Sequence, residues 1–303
     1  MIPRVRLGRT GLEVSRIGLG GFPFCAVNRA RNWDPYSPAG RATAIETVRA
    51  AVEAGINYMD TAQSYGNGHS EKIMGEATEP LRDRVVLATK VGYDAPDGDE
   101  LMRRVEGSLE RLRTDVIDVM QLHGGMYTRE EVEHILNDGL VDALFKLRDR
   151  GKIRFLGFTV EEPWTARPLI ATGRFDVIQI RYNLIHQAAA FHALDEAQEA
   201  DMGITVMRPM TSGMFQRICH YLAPRWGEVH DLYEVALKYV LSDRRVHAAC
   251  VGMRWPEEVA KNAALAEAFR PPFDMAELPR RTQDVYHTED EMEAARDAAG
   301  SDG

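Results

Sequence analysis

Cysteine is scarce: three residues in 303, Cys25, Cys219 and Cys250, far apart and odd in number. No C-x-x-C spacing occurs, so neither a disulfide framework nor a thiolate metal site is indicated, and reduced, mostly buried thiols are expected. The chain also lacks any apolar run near the roughly 18 residues of a membrane helix. Its opening segment, MIPRVRLGRTGLEV, has no apolar stretch of signal-peptide type, and the expected location is cytoplasmic. Positive charge is in deficit: 37 Lys and Arg stand against 46 Asp and Glu, a formal net charge of −9. That balance argues against a nucleic-acid partner, which usually demands a basic face. No G-x-G-x-x-G follows the first apolar segment, which counts against an open doubly wound sheet.

What is present is a rhythm. Hydrophobic content of 45% with 27% charged residues is ordinary for a soluble globular chain. Short apolar segments at 16–20, 56–60, 85–90, 116–123, 153–158, 177–180, 204–207 and 247–251 read as strands covered on both faces. Amphipathic segments at 41–55, 99–112, 131–151, 191–203, 229–241 and 256–269 read as helices. Eight such strands with intervening helices predict a (β/α)8 TIM barrel in one domain over residues 1–270, with a tail over 271–303. Before the first strand, residues 5–17 read as a β-hairpin, with Gly8 and Gly11 near its turn, placed to plug the barrel bottom. The loop 22–40 is long and aromatic, which usually marks function.

Barrel chemistry sits at the carboxyl ends of the strands. Asp60 ends the second strand, Tyr65 lies in the next loop, Lys90 ends the third strand and His123 the fourth. Taken singly, these are a helix cap, a packed ring, a rim charge and a satisfied polar residue. Taken together, at adjacent strand ends and one structural unit apart, they predict convergence at one rim. A lysine finishing a buried strand needs an acid, and Asp60 is the natural partner. The lysine cation would stabilise the tyrosinate and lower a pKa near 10. Tyr65 could then donate a proton to a carbonyl oxygen that His123 orients. A metal site built from Asp60, His69 and His123 can be imagined, but no His-x-His pair ends a strand, and no metal is expected.

The segment GINYMDTAQSYGNGHSE, residues 55–71, resembles the aldo-keto reductase signature. The likeness continues through ATKVG (88–92), DVIDVMQLH (115–123), GKIRFLGFT (151–159) and VGMRWPEEVAKN (251–262). It implies a catalytic tetrad of Asp60, Tyr65, Lys90 and His123 and a nicotinamide cofactor, NADP(H) or NAD(H), across the barrel mouth. Gln179 matches the residue that bonds the carboxamide, with Thr159 where a serine is usual and Val160 where many members carry asparagine. Met207 takes the position of a stacking aromatic. Arg208, Ser212 and Gly213 resemble the pyrophosphate loop, and Gly21 and Gly252 join the cofactor set. Asn262 matches an adenine ligand. Glu258 replaces the arginine of NADPH-preferring relatives, and Arg254 is a second source of positive charge.

The implied activity is hydride transfer between the cofactor and a small carbonyl or alcohol: an aldehyde, a ketone or a sugar. Phe24, Trp33, Tyr36 and Tyr93 are the expected pocket walls. The alternative is a redox-sensing regulatory protein that binds cofactor and turns over little, for which the changes at Val160 and Met207 leave room. Neither a membrane nor a nucleic-acid partner is expected.

Overall fold

The computed structural model of the chain describes residues 2–277; the part of the expected tail over 278–303 lies outside them. Strands β1 (Arg4–Arg6) and β2 (Glu13–Ser15) form an antiparallel hairpin. Eight further strands follow: β3 (Ile17–Gly20), β4 (Tyr58–Asp60), β5 (Val86–Gly92), β6 (Ile117–His123), β7 (Ile153–Val160), β8 (Val177–Arg181), β9 (Gly203–Met207) and β10 (Ala248–Gly252). They close into a parallel barrel in the order β10-β3-β4-β5-β6-β7-β8-β9, the (β/α)8 architecture expected. Each observed strand lies within two residues of its expected segment at either end.

The strands alternate, and the alternation builds the barrel in layers. On β6, Met120 and Leu122 join the outer core beneath the helices, whereas Val119 belongs to the inner cluster. The lowest inner layer is apolar, formed by Tyr58, Val86, Ala88, Val119, Val177 and Ala248. Above it the inward positions turn polar, with Asp60, Lys90, Gln121, Gln179 and Thr205 all buried. Both amide atoms of Gln121 are buried there without a partner among the described residues.

The hairpin seals the bottom, as expected. Leu7, Leu12 and Val14 complete the apolar inner layer. Asn57, at the foot of β4, fastens the hairpin: its Oδ1 accepts from Ser15 N at 2.7 Å and its Nδ2 donates to Glu13 O at 2.8 Å. The hairpin turn lies on the chain entering β9, where Arg9 N donates to Asp201 O at 2.6 Å. Gly8 has φ +48, and a Cβ there would overlap the backbone of Met202 and Gly203.

Three features depart from the sequence reading. The helix expected over 131–151 is two, Arg129–Asn137 and Leu140–Asp149, parted at Gly139 with φ 84. The break lets the chain approach the helix Gly98–Leu112 closely, since a Cβ on Gly98 would stand 2.7 Å from Gly139 O. The helix His69–Thr78 follows a left-handed Gly68 with no side-chain cap, so it carries no start signal. The segment after β9, where no helix was expected, contains the helices Met214–Leu222 and Pro224–Val229. Near the end of the described chain, Asp274 Oδ1 accepts from Arg244 N at 3.1 Å and Met275 N donates to Ser242 O at 2.9 Å, pinning residues 274 and 275 to the barrel. Among the described residues, no helix is long and apolar enough to cross a membrane.

Gly8→Ala combines a left-handed backbone with a steric overlap. It is expected to lose about 2 kcal/mol or more of stability, read as a lowered urea midpoint with an unchanged denaturant slope. An unchanged midpoint would show that the plug does not contribute to global stability.

Candidate active site

The polar inner layer converges on one ion pair. Lys90 on β5 donates from Nζ to Asp60 Oδ1 at 2.7 Å, Asp60 Oδ2 at 2.8 Å and Thr61 O at 2.7 Å. Asp60 is held from two other sides: its Oδ1 accepts from Gln179 Nε2 at 2.9 Å, and its carbonyl accepts from Gly21 N at 2.7 Å. Lys90 is only 1% exposed. Burial works to lower its pKa, but Asp60 and Tyr65 outweigh burial and the net shift is upward. The ammonium therefore stays charged at neutral pH.

Tyr65 lies over this pair, with Lys90 Nζ 5.1 Å from its ring centroid. Two rings fix it edge-on, Phe22 at 5.4 Å and His123 at 5.8 Å. Burial raises the Tyr65 pKa, the Lys90 charge opposes burial, and the net direction is up. This corrects the expectation of a lowered value: desolvation of the phenolate exceeds the lysine's attraction, so the hydroxyl keeps its proton and the lysine limits the penalty. His123 ends β6, and its Nδ1 stands 3.1 Å from Ser64 Oγ. Burial, with Lys90 adding to it, lowers the His123 pKa to about 4. The imidazole is thus neutral, and in the tautomer in which Ser64 Oγ donates to Nδ1, Nε2 carries the N–H.

Much of the 55–71 signature proves to be scaffold for these side chains. Thr61 Oγ1 donates to Ser70 Oγ at 2.8 Å, and Ser70 Oγ donates to Gly21 O at 2.8 Å. Glu71 is fully buried, taking Thr89 Oγ1 and Arg111 Nε at 2.6 Å each. These bonds lock the helix His69–Thr78 beside β5 and hold the loop that carries Tyr65.

The expected cofactor residues divide into two groups. Gly252, Arg254, Glu258 and Asn262 line one groove of about 550 Å3, together with Asn28, Arg31, Met210, Tyr233 and Trp255. The others already have partners within the protein or stand outside that groove. Thr159 Oγ1 donates to Gly124 O at 2.7 Å and accepts from Gly124 N at 3.0 Å, holding the loop after β6. Val160 is fully buried in the outer core. Gln179 turns to Asp60, and the polar backbone atoms of Gly21 go to Asp60 and Ser70. Arg208 pairs with Glu161 at 2.7 Å, and Glu161 also takes Arg181 at 3.0 Å. Met207 ends β9, half-buried. After it the backbone is left-handed at Arg208 (φ 55), Thr211 (φ 59), Ser212 (φ 51) and Gly213 (φ 82), directly before the helix Met214–Leu222. Non-glycine residues hold such conformations at a cost of order 1–3 kcal/mol each, and they cluster at binding sites. A groove lined by two arginines, and a strained loop opening onto a helix N-terminus, form a donor set that suits a phosphate-bearing dinucleotide.

Two of the expected pocket walls, Phe24 and Trp33, need correction. Phe24 is wholly buried core. Trp33 is buried against Trp255, ring centroids 6.0 Å apart, at the groove rather than beside Tyr65. Tyr36 stacks on His69 at 4.2 Å, and Tyr93 packs on Tyr127 with its hydroxyl donating to Glu131 Oε1 at 2.6 Å. Phe22, not among the expected walls, is 58% exposed and stands edge-on to Tyr65. Its position, two residues past the end of β3, was the available signal. Among the described residues no three His, Cys, Asp or Glu side chains converge as metal ligands do; the His69 ring lies against Tyr36.

Known proteins resemble this chain in sequence and fold. Aldo-keto reductase YhdN of Bacillus subtilis (strain 168) is 35% identical over 205 residues, covering 63% of this chain and 56% of that protein. The match thus spans little more than half of that relative's length. L-galactose dehydrogenase of Arabidopsis thaliana is 26% identical over 290 residues, covering 85% of this chain and 86% of that one. A crystal structure of an aldo-keto reductase from Klebsiella pneumoniae in complex with NADPH superposes with a TM-score of 0.72 at 25% identity, covering 95% of this chain and 98% of the other. The family model described as "Aldo/keto reductase family" matches residues 16–279, from the first barrel strand past the last helix, and the chain belongs to that family.

Proposed function

We propose that the chain is an NAD(P)H-dependent oxidoreductase that interconverts small carbonyls, namely aldehydes, ketones or sugars, with their alcohols. The observation that carries this reading is the buried Lys90–Asp60 pair beneath Tyr65, with neutral His123 at its edge. Family membership and the Klebsiella relative that holds NADPH support the cofactor. When bound, the nicotinamide supplies the hydride.

The chain's own residues handle the oxygen. Tyr65 O–H is the proton donor, and its raised pKa keeps the proton in place until the carbonyl oxygen gains negative charge. Lys90 sits where a cation stabilises the tyrosinate left behind. Because Asp60 occupies the ammonium, the pair is nearly neutral from a distance and yet positive toward Tyr65. His123, neutral and hydrogen-bonded at Nδ1, offers Nε2–H to the same oxygen. In the reverse direction the same groups accept and hold the proton. Phe22 forms an apolar wall beside the reacting centre and suits the apolar face of a substrate. The groove residues Gly252, Arg254 and Asn262 would take the adenosine half of the cofactor.

Two measurements test this. Tyr65→Phe should lower kcat for carbonyl reduction by roughly 10²–10⁴-fold while leaving dinucleotide affinity nearly intact by fluorescence titration; retained turnover would remove Tyr65 as the donor. The pH profile of kcat/KM should show no break near the free-imidazole value of ~6.5, and on its acid side should fall only toward pH 4, where His123 takes up a proton. A limb near 6.5 that disappears in His123→Asn would show that the imidazole is not desolvated as described.

A further inference from the structure

The two groups assigned to the substrate oxygen do not come from neighbouring strands. Tyr65 follows β4 and His123 ends β6, and β5 runs between them. Val86, Ala88 and Lys90 mark the inward face of β5. The next inward place, at the mouth above Lys90, therefore belongs to residue 92. That residue is Gly92, the register partner of His123. It has no side chain, and the loop that follows fills its place. A Cβ built on Gly92 would overlap Asp94 Oδ1 and stand 3.5 Å from Arg104 Nη1. A carboxylate and a guanidinium thus lie over the strand end between the proton donor and the orienting imidazole.

This pair is held in place yet open to solvent. Arg104, on the helix Gly98–Leu112, donates from Nη1 to Asp94 Oδ1 at 2.8 Å and from Nε to Glu100 Oε1 at 3.0 Å. Both chain neighbours of Asp94 are fastened: the Tyr93 hydroxyl donates to Glu131 Oε1 at 2.6 Å, and Ala95 O lies 2.9 Å from His134 Nε2. The Asp94 side chain is nevertheless 76% exposed. Its Oδ2 and Arg104 Nη2 make no hydrogen bond among the described residues. An acceptor beside a donor, with no net charge between them, complements adjacent hydroxyl groups. A cationic substrate would find its attraction to Asp94 cancelled by Arg104. On the other side of Tyr65, after β3, stands the apolar ring of Phe22. The mouth is thus ionic on the β5 side and apolar on the β3 side, which suits a carbon chain that carries hydroxyls and still has a C–H face.

We propose that Asp94, held by Arg104 over Gly92, is the residue that recognises substrate hydroxyls, and that the substrate class is the polyhydroxylated aldehyde, with the matching polyol in the reverse direction. This rests on the oxidoreductase reading above. Asp94 Oδ2 accepts from one hydroxyl and Arg104 Nη2 donates to the oxygen of the next, while Tyr65 and His123 hold the carbonyl oxygen. A carbonyl compound without those hydroxyls displaces water from the pair and returns no bond to it.

Matched aldehydes separate hydroxyl recognition from hydride chemistry: glyceraldehyde against propanal, and erythrose against butanal, each pair differing only in hydroxyl groups. The full chain with NADPH or NADH should show the higher kcat/KM for the hydroxylated member of each pair. Asp94→Ala should lower that preference by roughly tenfold or more, mainly through KM for the hydroxylated member, and Asp94→Asn should keep part of it. Gly92→Ala retains both charges and only displaces the carboxylate, and it should lower the preference as well. A wild type with no preference for hydroxylated aldehydes overturns the proposal. So does a preference that survives Asp94→Ala, or one that Gly92→Ala leaves untouched. Equal losses for both members of a pair would reduce the Asp94–Arg104 contact to a loop fastening and overturn it too. If none of the four aldehydes is reduced with either dinucleotide, the oxidoreductase reading itself fails, an outcome distinct from equal reduction of both members.

Discussion

The site depends on one buried ion pair. A lysine and an aspartate in the middle of a barrel lose most of their hydration, and only short, fully satisfied contacts offset that loss. Here Nζ meets three oxygens within 2.8 Å, the carboxylate has a further donor in Gln179, and the Asp60 backbone carbonyl accepts from Gly21 N. Removing either member would leave a bare buried charge, which typically costs about 3–5 kcal/mol. The pair also sets the electrostatics above it. The one lysine charge opposes the burial that raises the Tyr65 pKa, and it deepens the lowering at His123. Proton donor and neutral orienting group thus follow from one cation at one height in the barrel.

That height is set from below. The hairpin fills the bottom with Leu7, Leu12 and Val14, and the inner face of the strands stays apolar up to Ala88 and Val119. Two residues further along each strand the same face carries Lys90 and Gln121, and two further again it reaches Gly92 and His123. A period of two residues along parallel strands therefore converts depth into chemistry. Asn57 links the two ends of this arrangement, since it fastens the hairpin and lies three positions before Asp60.

The strands were legible because each is a short apolar run bounded by helix-forming sequence, and the inner polar residues stand out against such runs. Asp60, Lys90 and His123 were visible for that reason. Less legible was anything decided by partners distant in sequence. Asn57, Ser70 and Glu71 form part of the recognisable signature, yet only the structure gives them their structural parts, at Ser15, Gly21 and Arg111 respectively. The direction of the Tyr65 shift was misjudged because sequence reveals the lysine but not the depth of burial. Loop aromatics were hard to place for a similar reason: Phe22 and Trp33 share one loop, but Phe22 meets Tyr65 whereas the closure at Asn28 sets Trp33 against Trp255. The break at Gly139 answered a neighbouring helix, which no local periodicity records.

The paired indoles have an optical consequence. Four tryptophans occur in the chain, and two of them, Trp33 and Trp255, lie 6.0 Å apart with a guanidinium beside each. Chromophores this close exchange excitation, and their emission responds to the charges that face them. The groove lined by Trp255 therefore has a built-in fluorophore pair, so its occupancy can be followed by light without a dye and without any reaction taking place.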